Sequence, residues 1–126
     1  MAACYTLKVV TDFAAAHRLR GHPGPCSRLH GHNWRVEVEV SAAGLDELGM
    51  AVDFADIKAA TREVIQRLDH RNLNELAPFD RANPTAENIA AHLFEQIGRV
   101  LDTERVRVRA VTLWETDHAC VRYTEE

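Results

Sequence analysis

Three histidines lie at the facing ends of two consecutive segments of alternating polarity. His30 and His32 flank one glycine at the start of such a segment, so both imidazoles point to one face of a strand. His17 ends the preceding segment, and antiparallel pairing across the intervening loop would bring it beside that pair. Three neutral imidazoles suit zinc and leave a fourth position open for water or substrate. The pattern predicts a catalytic zinc site with a Lewis-acid metal.

Cys26 lies four residues before His30, on a loop among cationic side chains. Neighbouring positive charge favours the thiolate, and a thiolate can act as a base or a nucleophile. The alternative is that Cys26 is a fourth metal ligand, which would close a structural Cys/His₃ site without catalysis. Both interpretations stay open at this point.

Two carboxylates have neighbours that indicate proton or ligand chemistry. Asp69 directly precedes His70 after a helical segment, where it can orient the imidazole and keep it basic enough to take a proton. Glu115 follows Trp114 near the end of a hydrophobic strand, and a ligand with adjacent N–H donors would satisfy a buried carboxylate there. Taken alone, the dipeptide is a weak signal, and the residue by itself favours an ordinary strand end at the solvent boundary for Glu115.

Positive charge is concentrated in one segment of an otherwise acidic chain. The formal net charge of −4 disfavours general nucleic-acid binding. From residue 13 to residue 35, however, there is no Asp or Glu, while four arginines and four histidines occur there: Arg18, Arg20, Arg28, Arg35, His17, His22, His30 and His32. This segment is either a solvated loop or a site that attracts an anion, and Arg18, Arg20 and Arg28 are candidate contacts for an anionic substrate.

The elements that must position these residues follow from periodicity. Alternation predicts strands up to about His17, over 34–40, and on both sides of Glu115. Apolar positions at helical spacing predict one helix capped by Asp53 and ending near Asp69, and a second capped by Thr85. The order ββααββ is that of an α+β domain with a four-stranded antiparallel sheet covered on one face by two helices. Oligomerisation would protect the two exposed edges of the sheet.

Size and cysteine content restrict the setting. At 126 residues with 46% apolar composition, the chain is expected to form one domain over residues 1–126. We expect neither a signal peptide nor a membrane span, because no apolar run has the required length or flanking residues. Cys4, Cys26 and Cys120 are odd in number and form no CxxC pair, which argues against a disulfide framework and favours a reducing cytoplasm.

Six motifs, in order, resemble the 6-pyruvoyltetrahydropterin synthase family over nearly the whole chain. They are Ala-Ala-His17, Cys26-x-x-x-His30-Gly31-His32-Asn33, Val52-Asp53-Phe54, Leu68-Asp69-His70-Arg71-Asn72-Leu73-Asn74, Asn83-Pro84-Thr85-Ala86-Glu87 and Glu115-Thr116. The resemblance implies the tunnelling fold, in which the sheets of three subunits join into a barrel. Two such trimers stack, so a homohexamer with active sites between subunits is expected.

The resemblance also assigns roles to individual residues. It implies that zinc is held by His17, His30 and His32, and that a pterin triphosphate is the substrate. It implies that Cys26, Asp69 and His70 form the proton-transfer set. Glu115 would anchor the guanidine-like edge of the pterin, and Thr85 is placed with it among the substrate-binding residues.

The gap between Cys26 and His30 points to one branch of that family. Three intervening residues resemble the bacterial 6-carboxytetrahydropterin synthases of the queuosine and deazapurine route. Those enzymes convert 7,8-dihydroneopterin triphosphate to 6-carboxy-5,6,7,8-tetrahydropterin and release triphosphate and acetaldehyde. One alternative is a pyruvoyl synthase, which only eliminates triphosphate. The other is a noncatalytic binding module that zinc stabilises.

Overall fold

The computed structural model describes residues 3–126, and its sheet has five strands in the order β3-β1-β2-β4-β5. The elements in chain order are β1 Cys4–His17, β2 His30–Ala43, α1 Phe54–Ile65, β3 Arg71–Asn72, α2 Ala86–Leu101, β4 Val106–Thr116 and β5 Ala119–Tyr123. Single 3-10 turns lie at Pro25–Ser27 and Leu73–Glu75. Neither helix of residues 3–126 is long and apolar enough to cross a membrane.

The long hairpin of β1 and β2 is the centre of the fold. Its register pairs Cys4 with Ala43 at one end and His17 with His30 at the other, without interruption. Val36, Val38 and Val40 of β2 are fully buried, and the residues between them point to the opposite face, as the period of two requires. The α+β class and the two long strands are therefore as predicted.

Both helices cover the buried face of the sheet. The apolar stripe of α1 includes Ile57 and Val64, that of α2 includes Ile89, Leu93 and Ile97, and all five belong to the same hydrophobic core as the β2 valines. Asp53 caps α1 by accepting the N–H of Ala55, and Thr85 caps α2 by accepting the N–H of Asn88. The two predicted caps are confirmed.

The sheet differs from the prediction at one edge, because a fifth strand is present and the sheet is not wholly antiparallel. β3 is only two residues long and runs parallel to β1, with Arg71 opposite Ala15. A two-residue strand has no periodicity that a sequence could show. The helix before it also ends earlier than expected, at Ile65 instead of near Asp69, because Arg67 and Leu68 donate to carbonyls only three residues back and tighten the chain into turns.

A candidate metal centre and two adjoining clefts

The end of the β1–β2 hairpin brings the three histidines together. His17 pairs with His30, and Ala15 pairs with His32, so all three side chains lie on the face of the sheet that holds the core. The ring centre of His17 is 4.6 Å from that of His30 and 5.1 Å from that of His32. The ring centres of His30 and His32 are 4.8 Å apart. The predicted convergence of the three imidazoles is therefore present.

Glu115 joins the histidines because β4 contains a bulge. Val40 pairs with Val108 and Glu39 pairs with Ala110, which leaves Arg109 as an extra residue without a partner in β2. Beyond the bulge, the odd-numbered residues of β4 face the core, and Glu115 is the last of them to do so. Its Oε1 lies 3.3 Å from Nε2 of His32. Ligand atoms of the four residues all lie within 4.8 Å of one another.

Backbone carbonyls orient two of the three rings. Nδ1 of His17 donates to the Pro84 carbonyl at 2.7 Å, and Nδ1 of His30 donates to the Arg28 carbonyl at 2.7 Å. A carbonyl can only accept, so Nδ1 carries the proton, and Nε2 of a neutral ring keeps its lone pair. A histidine that binds a metal is held in the same way by a hydrogen bond to its other ring nitrogen.

The free ring nitrogens provide the test of fit for a metal. Nε2 of His17 and Nε2 of His32 are buried and make no hydrogen bond within residues 3–126, although buried polar atoms are normally paired. Removal from water lowers the pKa of both side chains, which favours the neutral form that a metal ligand needs. Three imidazoles and one neighbouring carboxylate fit zinc.

Asp69 and His70 lie together at the edge of the sheet, where the backbone holds them in place. Oδ1 of Asp69 accepts the N–H of Ala14 at 2.9 Å and is 2.9 Å from Nδ1 of His70. The N–H of Ala14, with a smaller contribution from His70, lowers the pKa of Asp69, so this carboxylate is ionised and can orient the ring. The His70 side chain is 81% exposed, and its φ of 60° turns the chain into β3.

Cys26 belongs to neither of these two groups. It occupies the 3-10 turn Pro25–Ser27 as a free, half-buried thiol. Within residues 3–126, no hydrogen bond or ion pair joins it to Asp69 or His70, and the convergent ligand group contains Glu115 instead of Cys26. The described residues therefore do not form a closed Cys/His₃ site. Within one chain, no hydrogen bond or ion pair links Cys26 to Asp69 and His70, the other two proposed proton-transfer residues.

Two clefts adjoin the histidines. A cleft of about 250 Å³ between the start of α2 and β5 is lined by Glu115 and Glu87. A larger, open cleft of about 490 Å³ is lined by His32, Asn33 and His70. Since His32 and Glu115 are in contact, the histidine cluster lies between the two clefts. Glu87 was not predicted as a site residue, although its motif was recognised.

The remaining predicted site residues have backbone roles that the structure makes visible. The hydroxyl of Thr85 accepts the N–H of Asn88 at the start of α2 and keeps its own proton to donate. Arg28 is exposed, and its carbonyl holds His30. Arg20 is less available than its charge indicates, because its Nη1 donates to the Phe79 carbonyl.

Comparison with known proteins agrees with this arrangement. A model of the family described as 6-pyruvoyl tetrahydropterin synthase matches residues 6–126. A protein of Archaeoglobus fulgidus, named as a candidate 6-carboxy-5,6,7,8-tetrahydropterin synthase, is 42% identical over 101 residues, which cover 79% of this chain and 83% of the relative. A dihydroneopterin monophosphate aldolase of Pyrococcus furiosus is 37% identical over 104 residues, covering 82% and 83% of the two chains.

A solved structure gives the same result for the whole fold. The 6-pyruvoyl tetrahydropterin synthase of Caenorhabditis elegans superposes with a TM-score of 0.88 at 29% identity, covering 98% of this chain and 97% of that one. The family match spans nearly the whole sequence and includes every residue of the histidine cluster. The chain belongs to the 6-pyruvoyl tetrahydropterin synthase family of enzymes.

Proposed function

We propose that this protein is a zinc-dependent lyase that converts 7,8-dihydroneopterin triphosphate to 6-carboxy-5,6,7,8-tetrahydropterin, with release of triphosphate and acetaldehyde. The observation that carries this proposal is the convergence of three imidazoles beside the carboxylate of Glu115, with the buried Nε2 atoms of His17 and His32 making no hydrogen bond within residues 3–126. The name of the Archaeoglobus relative and the short gap between Cys26 and His30 favour the carboxy branch. The three free thiols fit a reducing cytoplasm.

The chemistry is divided among this chain's own residues. Zinc held by His17, His30 and His32 would supply Lewis acidity toward the side-chain oxygens of the pterin, making the adjacent C–H more acidic. Cys26 and His70 move the protons, and Asp69 holds the His70 ring for that task. Glu115 accepts N–H donors of the pterin ring from its position in the 250 Å³ cleft.

The open edges of the sheet support assembly into a homohexamer. β3 covers only Ala15 and Ala16 of β1, so β1 has no outer strand partner from Cys4 to Ala14 within the described chain, and β5 has none either. Such edges pair with other strands unless they are covered. Closing three sheets into a barrel would remove both edges and bring active-site residues from neighbouring chains together.

Zinc content and product analysis together test the proposed function. Purified protein is expected to bind about one zinc per chain through nitrogen ligands, measured by elemental analysis and X-ray absorption. Incubation with 7,8-dihydroneopterin triphosphate is expected to release acetaldehyde and triphosphate in equal amounts. A Zn–S distance of about 2.3 Å would contradict the ligand assignment, because it would place a cysteine on the metal.

The same assay separates the alternatives. Release of triphosphate without acetaldehyde identifies a pyruvoyl synthase, the activity named for the Caenorhabditis structure. Turnover of dihydroneopterin monophosphate instead of the triphosphate identifies an aldolase, the activity named for the Pyrococcus relative. Bound zinc without turnover of either substrate, together with unfolding when zinc is removed, identifies a noncatalytic binding module.

Changing Glu115 to Gln is expected to weaken pterin binding by roughly 10- to 150-fold, measured by calorimetry with a nonreactive pterin. The reason is that a hydrogen bond to a charged group is worth about 1.5–3 kcal/mol, and an amide lacks both the charge and the second acceptor. Glu47→Gln, an exposed change in the loop after β2, is the matched control and should leave affinity unchanged. Equal affinity in wild type and Glu115→Gln would leave Glu115 with a structural role only.

A further inference from the structure

Two asparagine side chains pair with both backbone polar groups of two residues just beyond β1. Asn74 accepts the N–H of Arg18 at 2.8 Å and donates to its carbonyl at 3.0 Å. Asn83 accepts the N–H of Arg20 at 2.9 Å and donates to its carbonyl at 3.1 Å. A carboxamide carries a donor and an acceptor side by side, so each asparagine takes the place of a neighbouring strand. We call these four hydrogen bonds the asparagine clasp.

The two residues bound by the asparagine clasp flank Leu19, which is hydrogen-bonded to Cys26. Leu19 lies between Arg18 and Arg20, and its N–H donates to the carbonyl of Cys26 at 2.8 Å. The loop that carries the thiol is thus hydrogen-bonded to Leu19. Both neighbours of Leu19 in sequence are held by asparagine side chains. Movement of Arg18 or Arg20 would move Leu19 and, through that bond, Cys26.

Packing does not hold this loop in place. No residue from 18 to 29 is buried, and none of the three residues of the Pro25–Ser27 turn is buried. A segment without buried apolar side chains opens at low free-energy cost unless hydrogen bonds prevent it. The position of Cys26 therefore depends on the clasp and on the Leu19 hydrogen bond more than on the core.

The segments that provide the two asparagines also carry other residues of the site. The Asn74 N–H bonds to the side chain of Asn72 in β3, two residues after His70. Asn83 directly precedes Pro84, whose carbonyl orients His17, and its own carbonyl accepts from Asn88 of α2. The clasp thus joins the cysteine loop to the segment that follows His70 and to the segment whose Pro84 carbonyl orients His17.

We infer that Asn74 and Asn83 are positioning residues for Cys26, fixing its thiol relative to the histidine cluster. The catalytic consequence rests on the proposed function of Cys26 as a proton-transfer group. Neither asparagine touches the reacting atoms in this role. Each acts through the backbone of residues 18–20 and the Leu19 hydrogen bond.

Asn74→Asp and Asn83→Asp test the inference with nearly unchanged size. An aspartate keeps the acceptor for the backbone N–H but presents a second oxygen to the carbonyl of Arg18 or Arg20. The hydrogen bond that the amide donates to that carbonyl is therefore replaced by repulsion between two oxygens. The matched control is Asp46→Ala. It removes a side chain that accepts the N–H groups of Leu48 and Met50, in the loop at the opposite end of β2.

Three readouts distinguish positioning from general loss of structure. Alkylation of Cys26 by iodoacetamide is followed on the tryptic peptide 21–28, which contains no other cysteine. Amide exchange at Leu19 is followed by mass spectrometry or NMR. Both are expected to accelerate about tenfold in each asparagine variant and to stay at the wild-type rate in Asp46→Ala. We expect kcat to fall by about ten- to a hundredfold with KM and zinc content near wild type, because misplacing one reacting group affects the chemical step.

The contrary outcomes are equally specific. Wild-type alkylation and exchange rates in folded Asn74→Asp and Asn83→Asp would overturn the clasp, as would a loss of kcat no greater than in Asp46→Ala. Loss of zinc along with kcat would show that the asparagines act on the histidines instead of on Cys26. If Asn83→Asp does not fold, Asn74→Asp provides the same test from a different segment. If wild type turns over no pterin, the proposed function fails, while alkylation and exchange still decide the positioning claim.

Discussion

Replacing Cys26 with Ala is expected to lower kcat by about 10²–10⁴-fold while zinc content stays at about one per chain. The size of the effect follows from the loss of one positioned proton-transfer group. Zinc is retained because the proposed ligands are His17, His30 and His32, and Cys26 is not among the convergent ligand atoms. Thermal unfolding should also be nearly unchanged, since the 3-10 turn that contains Cys26 buries none of its residues.

The control for this experiment is Cys4→Ala, an exposed thiol at the start of β1 that should be dispensable. Metal analysis of both variants separates the two interpretations of Cys26. Loss of zinc in Cys26→Ala, with a parallel loss of stability, would establish Cys26 as a metal ligand and support the structural-site alternative. Full activity with zinc retained would remove Cys26 from the mechanism.

The histidine site was predictable because its geometry depends on short-range rules. His30 and His32 share a face through the period of two, and a hairpin whose strands are both long brings His17 opposite His30. No contact outside the two strands is needed to bring the rings together. The carbonyl that orients His17 is different, because Pro84 lies 67 residues away in sequence.

Glu115 shows where the alternation rule fails. Val106 and Val108 face the core, and continuing that alternation would place Glu115 on the opposite face of the sheet. The bulge at Arg109 reverses the phase, so Val111, Leu113 and Glu115 face the core instead. The alternation breaks at the adjacent apolar residues Ala110 and Val111, but that break alone does not identify an extra residue, and Glu115 was accordingly assigned only by resemblance.

β3 and the asparagine clasp were missed for a related reason. Two residues are too few to show a period, and the clasp consists of side-chain-to-backbone bonds between residues 56 and 63 positions apart. Propensity and periodicity describe neighbours along the chain. Contacts of this kind depend on the packed arrangement of α1, α2 and the hairpin.

We expect each active site to be shared between two chains, because Cys26 makes no hydrogen bond to Asp69 or His70 within residues 3–126. Asp69 and His70 lie at the sheet edge formed by β3, where a neighbouring chain can approach. Subunits carrying Cys26→Ala and subunits carrying His70→Ala should each be nearly inactive alone. Co-refolded in equal amounts, they should recover about a quarter of wild-type turnover, since one site in four would draw both intact residues.

The recovery is large relative to the background of either variant alone, which makes the experiment sensitive. The matched control mixes Cys26→Ala with the double variant Cys26→Ala/His70→Ala, a mixture in which no site contains an intact Cys26 and no recovery is expected. Native mass spectrometry must first show that chains of both kinds occupy one oligomer. Mixed oligomers that remain as inactive as their parents would show that Cys26 and His70 serve the same site from one chain, and the intersubunit assignment would then be wrong.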